Sequence, residues 1–274
     1  MQHQQHTIGF IGGGNMAQAI VRGLLKAGHP ASRIMIADPA ARQRELLGAL
    51  HPDLRVSADN ATPAASADLL VLAVKPQQLQ SAIQALVVAV DRPAGQVVMS
   101  IAAGITLRAL NEWFGGAATV IRVMPNTPAL VGAGMAGLYA ADGVPGSARD
   151  LAAYAMGATG RTLWLDNEGE LDLVTAVSGS GPAYFFLVME ALQEIGTELG
   201  LSPAAARLLA TQTALGAGLL AAESDDPPAT LRARVTSPGG TTAAAIAALE
   251  AGGIRDIFRT ALIAARDRSR ELGA

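Results

Sequence analysis

Short apolar runs separated by more polar stretches dominate the first 165 residues of the chain. Five such runs, each apolar apart from single residues, lie at 8–11, 33–37, 69–74, 97–101 and 118–123. Continuous apolar runs of this length are typical of parallel strands that are covered on both faces. The intervening segments 40–50, 77–90 and 106–114 have the length and periodicity of helices. This alternation predicts an α/β domain with a doubly wound sheet, to which 137–140 and 161–165 are expected to add two strands.

The pattern changes at about residue 166, because no strand-like run recurs beyond it. Helical stretches follow at 183–199, 203–223, 242–251 and 254–272. The first of these is apolar nearly all round, and a domain of about 110 residues struggles to bury several such helices alone. We therefore predict a Rossmann-type nucleotide-binding domain at 1–165 and an all-α dimerisation and substrate-binding domain at 166–274.

A glycine-rich turn follows the first apolar run and leads into an alanine-rich helical segment. The spacing Gly12-x-Gly14-x-x-Ala17 is that of dinucleotide-binding turns. Gly12 permits the tight turn, Gly14 lets the backbone approach a pyrophosphate, and Ala17 lets the helix pack closely on the strand. The diphosphate would then lie at the positive end of the helix. The alternative is a glycine-rich turn of another kind of α/β protein.

Asp38 ends the second apolar run and lies 24 residues after Gly14. An acidic residue in this place binds the ribose hydroxyls of adenosine. The dipeptide Asp38-Pro39 is equally suited to be an N-cap followed by proline at the first helical position. Both interpretations are compatible with the sequence.

Composition narrows the class of protein. Half of the residues are hydrophobic and only 16% are charged, which indicates a compact globular chain. The net charge of -3 comes without a basic stripe, so no nucleic-acid partner is expected. The absence of cysteine excludes disulfides and thiolate chemistry, and we predict no metal site. The first residues lack the features of a signal peptide, and the apolar stretch 183–189 is too short to span a bilayer, so we expect a cytoplasmic location without a membrane partner.

The distribution of histidine and lysine limits the chemistry of the second half. All four histidines lie in the first fifth of the chain, and the only lysines are Lys26 and Lys75. The second half instead has a Ser/Gly cluster at 178–181 and a Gly-Gly turn at 236–242, each followed by a helix. Free N–H groups and hydroxyls in such a turn can bind an anion such as a substrate carboxylate. Simple capping of the helix by Thr241 or Thr242 is the alternative.

Six stretches in this order and at these separations resemble one known family, the pyrroline-5-carboxylate reductases. They are Ile-Gly-Phe-Ile-Gly-Gly-Gly-Asn-Met-Ala at 8–17, Ala-Val-Lys-Pro at 73–76, Ser-Ile-Ala-Ala-Gly at 100–104, Met-Pro-Asn-Thr-Pro at 124–128, Thr-Ala-Val-Ser-Gly-Ser-Gly-Pro-Ala-Tyr at 175–184 and Thr-Ser-Pro-Gly-Gly-Thr-Thr at 236–242. The resemblance covers essentially the whole chain. The first stretch is shared with many dehydrogenases, whereas the last two are specific to this family.

The resemblance implies reduction of Δ1-pyrroline-5-carboxylate to L-proline by hydride from NADPH or NADH. Carried over residue by residue, it implies cofactor contacts from Gly12, Gly13, Gly14, Asn15, Met16, Ala17, Asp38, Asn60, Ala73, Val74, Lys75, Pro76, Ala102, Ala103 and Gly104. It places the substrate carboxylate on backbone N–H groups of Gly240, Thr241 and Thr242, with the Thr242 hydroxyl near the imine nitrogen as the catalytic group. Glu168 matches an acid near the substrate. The helical half resembles the intertwined dimerisation domain of the family, which implies a homodimer that can assemble into a homodecamer.

The expected chemistry agrees with the absence of histidine, lysine and cysteine from the second half. A cyclic imine readily becomes an iminium, which is already electrophilic, so orientation and carboxylate anchoring matter more than a strong general acid. Asp38 departs from the family, in which many members have Ser, Thr or Asn at this place. A carboxylate should repel the 2′-phosphate of NADPH, although Arg42 or Arg44 could compensate, so we expect both cofactors to work.

Three other classes of protein were weighed. A β-hydroxyacid dehydrogenase needs a catalytic lysine in its second domain, and no lysine follows Lys75. A short-chain dehydrogenase needs a Tyr-x-x-x-Lys motif, which none of the three tyrosines provides. A non-catalytic dinucleotide sensor of the same fold is the remaining alternative. The turn at 236–242 argues against it, because a sensor has no use for a substrate anchor.

Overall fold

The computed structural model describes residues 3–116 and 118–273. These residues form two compact units. One contains the described residues up to Gly179 together with those from Ala265 onward, and the other contains Ser180–Ala264. The predicted domain boundary between residues 165 and 166 stays a prediction.

The first unit contains an eight-stranded sheet. Its strands are β1 (Ile8–Ile11), β2 (Ile34–Ala37), β3 (Arg55–Ser57), β4 (Leu69–Leu72), β5 (Val97–Ser100), β6 (Thr119–Met124), β7 (Gly134–Ala140) and β8 (Gly160–Trp164). Their order in the sheet is β3-β2-β1-β4-β5-β6-β7-β8. All neighbouring pairs are parallel except β6 and β7, which are antiparallel.

Helices of the first unit lie between these strands or follow the last of them. They are α1 (Asn15–Lys26), α2 (Ala41–Gly48), α3 (Ala61–Ser66), α4 (Pro76–Ala89), α5 (Leu107–Trp113), α6 (Gly146–Gly157) and α7 (Glu170–Val174). The sequence analysis missed β3, α3, α6 and α7. The strand β3 has only three residues, of which one is apolar, and α3 has six residues with a proline among them, so neither produces a clear period.

The sheet has a switch point at its centre. Strand β1 pairs with β2 on one side and with β4 on the other, with Ile11 opposite both Ala37 and Leu72. In such a sheet the ligand crevice lies outside the carboxyl ends of the strands at this point. The strand order confirms the predicted doubly wound, Rossmann-type fold.

Both faces of the sheet are covered. Leu69 and Val71 belong to one buried cluster, whereas the alternate residues Leu70 and Leu72 belong to another. Successive strand residues point to opposite faces, so the two clusters form the two sides of one core. This arrangement is the reason for the continuous apolar runs in the sequence.

The second unit is entirely helical. It contains α8 (Gly181–Glu198), α9 (Pro203–Glu223), α10 (Pro228–Arg234), α11 (Thr241–Ala251) and the first part of α12 (Ile254–Leu272). Many large apolar side chains of α8 and α9 are exposed in the single chain, among them Phe185, Phe186, Leu208 and Leu220. Among the described residues, one helical stretch, Glu170–Glu198, has the length and apolar composition of a membrane span, a test that core helices of soluble proteins also pass.

Aromatic rings near the amino terminus form a cluster with α6. The ring centroids of His3 and His29 lie 5.2 and 5.8 Å from that of Tyr154. His29 is buried, its Nδ1 lies 3.1 Å from the Tyr154 hydroxyl oxygen, and its Nε2 is buried without a hydrogen-bond partner. Burial lowers the pKa of His29, because the imidazolium would lose its hydration, and the charge of Arg33 lowers it further.

Acidification is expected to destabilise the protein through His29. Because its pKa is lower in the folded than in the unfolded chain, the unfolded chain binds the proton first, and stability falls as the pH drops below about 6.5. His29→Gln is therefore expected to reduce the loss of Tm between pH 7 and pH 5, measured by scanning calorimetry. His51→Gln is the matched control, because it removes a histidine whose side chain is 42% exposed and lies outside this aromatic cluster. An unchanged slope in His29→Gln would contradict this assignment.

Candidate active site

Two of the three glycines in the turn between β1 and α1 have different structural roles. Gly12 has a φ of 96°, and a Cβ built on it would lie 2.7 Å from the Ala73 carbonyl oxygen. Gly14 is the N-cap of α1, and among the described residues no atom outside its own chain neighbours lies within 4 Å of a Cβ built there. Gly12 is thus required by backbone conformation and space, whereas Gly14 keeps the amino end of α1 open. An open helix N-terminus at the carboxyl end of β1 fits the pyrophosphate of a dinucleotide.

The other residues of this turn anchor it to its surroundings. The Gly13 carbonyl accepts a hydrogen bond of 3.0 Å from Gln18 Nε2, which also donates to Gln43 Oε1. Asn15 begins α1 and is exposed, and Met16 is partly buried. Ala17 is fully buried in the core. The sequence analysis did not single out Gln18. Its only signal was a polar side chain in the first turn of a helix that carries the glycine motif.

Asp38 ties the glycine turn to the start of α2. Its Oδ2 accepts from the Gly13 N–H at 2.8 Å, and its Oδ1 accepts from the Ala40 N–H at 2.8 Å. Ala40 is the N-cap of α2, so the alternative interpretation of Asp38 as the N-cap is wrong by two residues. Arg44 Nη1 donates to the carbonyl oxygens of Asp38 and Pro39, so its guanidinium binds the backbone of this turn.

Asp38→Ser is expected to shift cofactor preference toward NADPH. The substitution removes a negative charge from the place expected to receive the adenosine ribose, where a 2′-phosphate would be repelled. We expect the ratio of kcat/KM for NADPH to that for NADH to rise by about tenfold or more. The control Asp53→Ser removes an exposed carboxylate from the loop after α2 and should leave the ratio unchanged. A ratio that does not move in Asp38→Ser would show that this carboxylate serves only the turn.

The remaining predicted cofactor residues follow the neighbouring strands. Asn60 is the N-cap of α3, and its Oδ1 is buried without a hydrogen-bond partner. After β4, the Ala73 N–H donates to the Ile11 carbonyl at 2.8 Å, and Ala73 and Val74 lead to Lys75, the N-cap of α4, and to Pro76, its first residue. An orphaned buried acceptor in the turn after β3, a strand of the same sheet as β1, is compatible with a bound dinucleotide.

The turn after β5 contains Ala102, Ala103 and Gly104. Gly104 has a φ of 78°, and a Cβ built on it would lie 3.1 Å from the Leu272 carbonyl carbon and oxygen. The carboxyl-terminal residues Leu272 and Gly273 therefore pack directly against this turn. The sequence analysis contained no indication of this contact.

Glu168 binds protein groups in this structure. Its Oε1 accepts a hydrogen bond of 2.6 Å from the Leu107 N–H and an ion-paired hydrogen bond of 2.7 Å from Arg122 Nη1. Glu168 and Arg122 border a cavity of about 220 Å³, which Gly104, Asp172 and carboxyl-terminal residues also line. The predicted contact of Glu168 with substrate stays a prediction.

In the second unit, the Gly-Gly turn leads into α11 as expected. Gly239 has a φ of 70°, and Gly240 is the N-cap of α11 with its N–H donating to the Ser237 carbonyl at 3.0 Å. Within the described part of the chain no side chain caps this helix. It begins at Thr241, so the alternative in which Thr241 or Thr242 is the capping residue is wrong. The first turn of α11 therefore presents backbone N–H groups without a side-chain acceptor.

The Ser/Gly cluster has a structural role of its own. Residues Thr175–Gly179 form a π-helical turn, and the Ser178 hydroxyl donates to the Val174 carbonyl at 3.1 Å. Asn126 Nδ2 donates to the Ser178 carbonyl, while Asn126 Oδ1 accepts from the Met135 N–H. The two sequence stretches 124–128 and 175–179 thus form one packed contact within the first unit.

The chain is similar to known proteins over nearly its full length. Residues 168–272 match the family model described as pyrroline-5-carboxylate reductase dimerisation, and residues 7–104 match that described as NADP oxidoreductase, coenzyme F420-dependent. The pyrroline-5-carboxylate reductase of Pseudomonas aeruginosa is 48% identical over 266 residues, which cover 97% of this chain and 96% of that protein. The chain belongs to the pyrroline-5-carboxylate reductase family.

Two solved structures of this family share the fold. A pyrroline-5-carboxylate reductase from Coxiella burnetii is 41% identical and superposes with a TM-score of 0.92, covering 98% of this chain and 99% of that one. The pyrroline carboxylate reductase of Plasmodium falciparum, solved with NADP bound, is 28% identical with a TM-score of 0.85 and covers 99% of each chain. The family confirms the predicted NAD(P)H-dependent oxidoreductase of proline biosynthesis, with a small-molecule substrate and a homo-oligomeric assembly.

Proposed function

We propose that this member of the family reduces Δ1-pyrroline-5-carboxylate to L-proline with the residues described above. The observation that carries the proposal is the uncapped amino end of α11 after its Gly-Gly turn. The glycine turn before α1 indicates a dinucleotide, which many enzymes bind, whereas the α11 turn indicates an anionic substrate.

The first unit supplies the proposed cofactor residues. The open amino end of α1 at Gly14 holds the pyrophosphate, and Asp38 lies where the adenosine ribose is bound. Asn60 offers its unpartnered Oδ1, and the turns 73–76 and 102–104 provide the remaining contacts. The bound NADPH or NADH would supply the hydride.

The second unit supplies the proposed substrate residues. Backbone N–H groups of Thr241 and Thr242, at the positive end of α11, bind the substrate carboxylate. Gly240 takes part as the N-cap, since its own N–H donates to Ser237. The Thr242 hydroxyl donates a hydrogen bond to the ring nitrogen when that nitrogen is unprotonated. It accepts one when the nitrogen carries a proton. An iminium needs no strong acid, so one hydroxyl and a fixed orientation are sufficient.

Apolar helices of the second unit support a dimer interface. Phe185, Phe186 and Leu187 of α8 are each more than 60% exposed in the single chain, and α9 adds several exposed leucines. Such a surface is typical of a subunit interface. We assign the nucleotide-binding domain to 1–165 and the dimerisation and substrate-binding domain to 166–274. We expect a homodimer that assembles into a homodecamer. We also expect a cytoplasmic location without membrane or nucleic-acid partners. Light scattering should give twice or ten times the chain mass of 27.9 kDa, and a monomer would contradict this assembly.

A single assay tests the proposed activity. Purified protein is mixed with pyrroline-5-carboxylate and either NADPH or NADH, and the loss of reduced cofactor is followed together with the formation of proline. Stoichiometric proline is expected with at least one cofactor. Cofactor binding without proline formation would instead identify a dinucleotide sensor.

A further inference from the structure

Arg122 is a buried charge in a mostly apolar strand. Its neighbours Val120, Ile121 and Val123 in β6 are buried core residues, and Arg122 itself is only 9% exposed. A buried guanidinium costs free energy unless it is paired. It pairs with the Glu168 carboxylate, whose Oε1 lies 2.7 Å from Arg122 Nη1.

The same carboxylate oxygen reaches a second element. Glu168 Oε1 accepts from the Leu107 N–H at 2.6 Å, and Leu107 is the first residue of α5. This N–H has no partner within the helix, and the Thr106 hydroxyl is engaged with the Ala109 N–H. Glu168 therefore joins β6 to the start of α5, directly after the turn 102–104.

The other side of that turn is also held. Gly104 packs against Leu272 and Gly273 at the end of α12. The Ser269 hydroxyl in the same helix donates to Asp172 Oδ1 at 2.7 Å, and Asp172 lies in α7, which follows Glu168. The turn thus packs against the carboxyl-terminal residues on one side and leads on the other into the helix start that Glu168 holds.

We infer that Arg122 is a positioning residue, which acts through Glu168 to hold the turn 102–104 in place for the cofactor. Arg122 fixes the carboxylate, and the carboxylate fixes the amino end of α5. This inference rests on the proposed function, because it assigns the turn to the cofactor. It changes the expected role of Glu168 from a substrate contact to a link between two protein elements.

Hydrogen exchange measured without cofactor or substrate tests directly whether Arg122 and Glu168 hold the turn 102–104. Arg122→Met removes the charge at similar volume, and Glu168→Ala removes the carboxylate from a more exposed position. In both variants the peptide covering 102–110 is expected to exchange about tenfold faster or more, since a charge-assisted hydrogen bond is lost. Arg270→Met is the matched control, because Arg270 borders the same cavity but is exposed and lies 3.7 Å from Asp172. It should exchange as the wild type does.

Kinetics complete the test. In both variants kcat is expected to fall about tenfold or more and the KM for NADPH to rise, while the KM for pyrroline-5-carboxylate changes less than about twofold. Glu168→Gln keeps an acceptor and should restore part of both readouts. Unchanged exchange at 102–110, or a rise only in the KM for pyrroline-5-carboxylate, would overturn the inference. If the variants exchange faster but the wild-type protein forms no proline, Arg122 and Glu168 still hold this turn, and the proposed function is overturned.

Discussion

Gly12→Ala is expected to lower the Tm of the cofactor-free protein by about 10 °C. A side chain at Gly12 would need a φ of 96°, and its Cβ would lie 2.7 Å from the Ala73 carbonyl oxygen. The strained backbone and the collision with main-chain atoms together should cost about 3 kcal/mol or more, which corresponds to such a shift in a chain of this size. Thermal unfolding followed by circular dichroism measures it.

Gly14→Ala is the matched comparison within the same turn. Gly14 has ordinary extended backbone angles, and a Cβ there meets no protein atom within 4 Å. The Tm should fall by about 4 °C at most, because only the N-cap preference is affected. The KM for NADPH, by contrast, should rise about tenfold or more, since the added methyl group lies over the open end of α1. Equal effects of the two substitutions on Tm would contradict the distinct roles assigned to these glycines.

Thr242→Ala is expected to lower kcat with pyrroline-5-carboxylate about a hundredfold. The substitution removes the hydroxyl proposed to hydrogen-bond the ring nitrogen in the transition state, and the loss of one such group typically has this magnitude. The KM for NADPH should change less than about twofold, because Thr242 is assigned to the substrate. Steady-state kinetics with each substrate varied in turn separates the two effects.

Two further variants isolate the hydroxyl of Thr242. Thr242→Ser keeps the hydroxyl and should retain most of the turnover. Thr260→Ala removes a hydroxyl that donates to the Asp256 carbonyl within α12, and it should leave kcat near the wild-type value. Wild-type turnover and affinity in Thr242→Ala would remove Thr242 from the mechanism.

Features that depend on residues close together in the sequence were predicted well. Strand β4 lies inside the predicted run 69–74, and α4, α5 and α11 begin within one residue of their predicted starts. These elements have long apolar periods or a clear proline or glycine boundary, so the local pattern is sufficient. The antiparallel pairing of β6 and β7 was not predicted, because the sequence of a strand does not state the direction of its neighbour.

Contacts between distant residues decided the details of the site. The hydrogen bond from Gly13 to Asp38 and that from Leu107 to Glu168 join residues 25 and 61 positions apart. The only sequence signal for the second contact was a charged residue, Arg122, inside an apolar strand. Such a residue must find a partner, but the pattern does not say which one.

By itself, the sequence determined the α/β class, the nucleotide-binding turn and the family, because spacing and backbone demands of glycine are local properties. Only the tertiary structure decided what the charged side chains bind. It showed that Asp38 closes the turn before α2, that Gly240 rather than a threonine caps α11, and that Glu168 joins Arg122 to α5. Hydrogen-bond partners of a carboxylate are set by which elements the folded sheet brings within about 3 Å of it, and no local period encodes that distance.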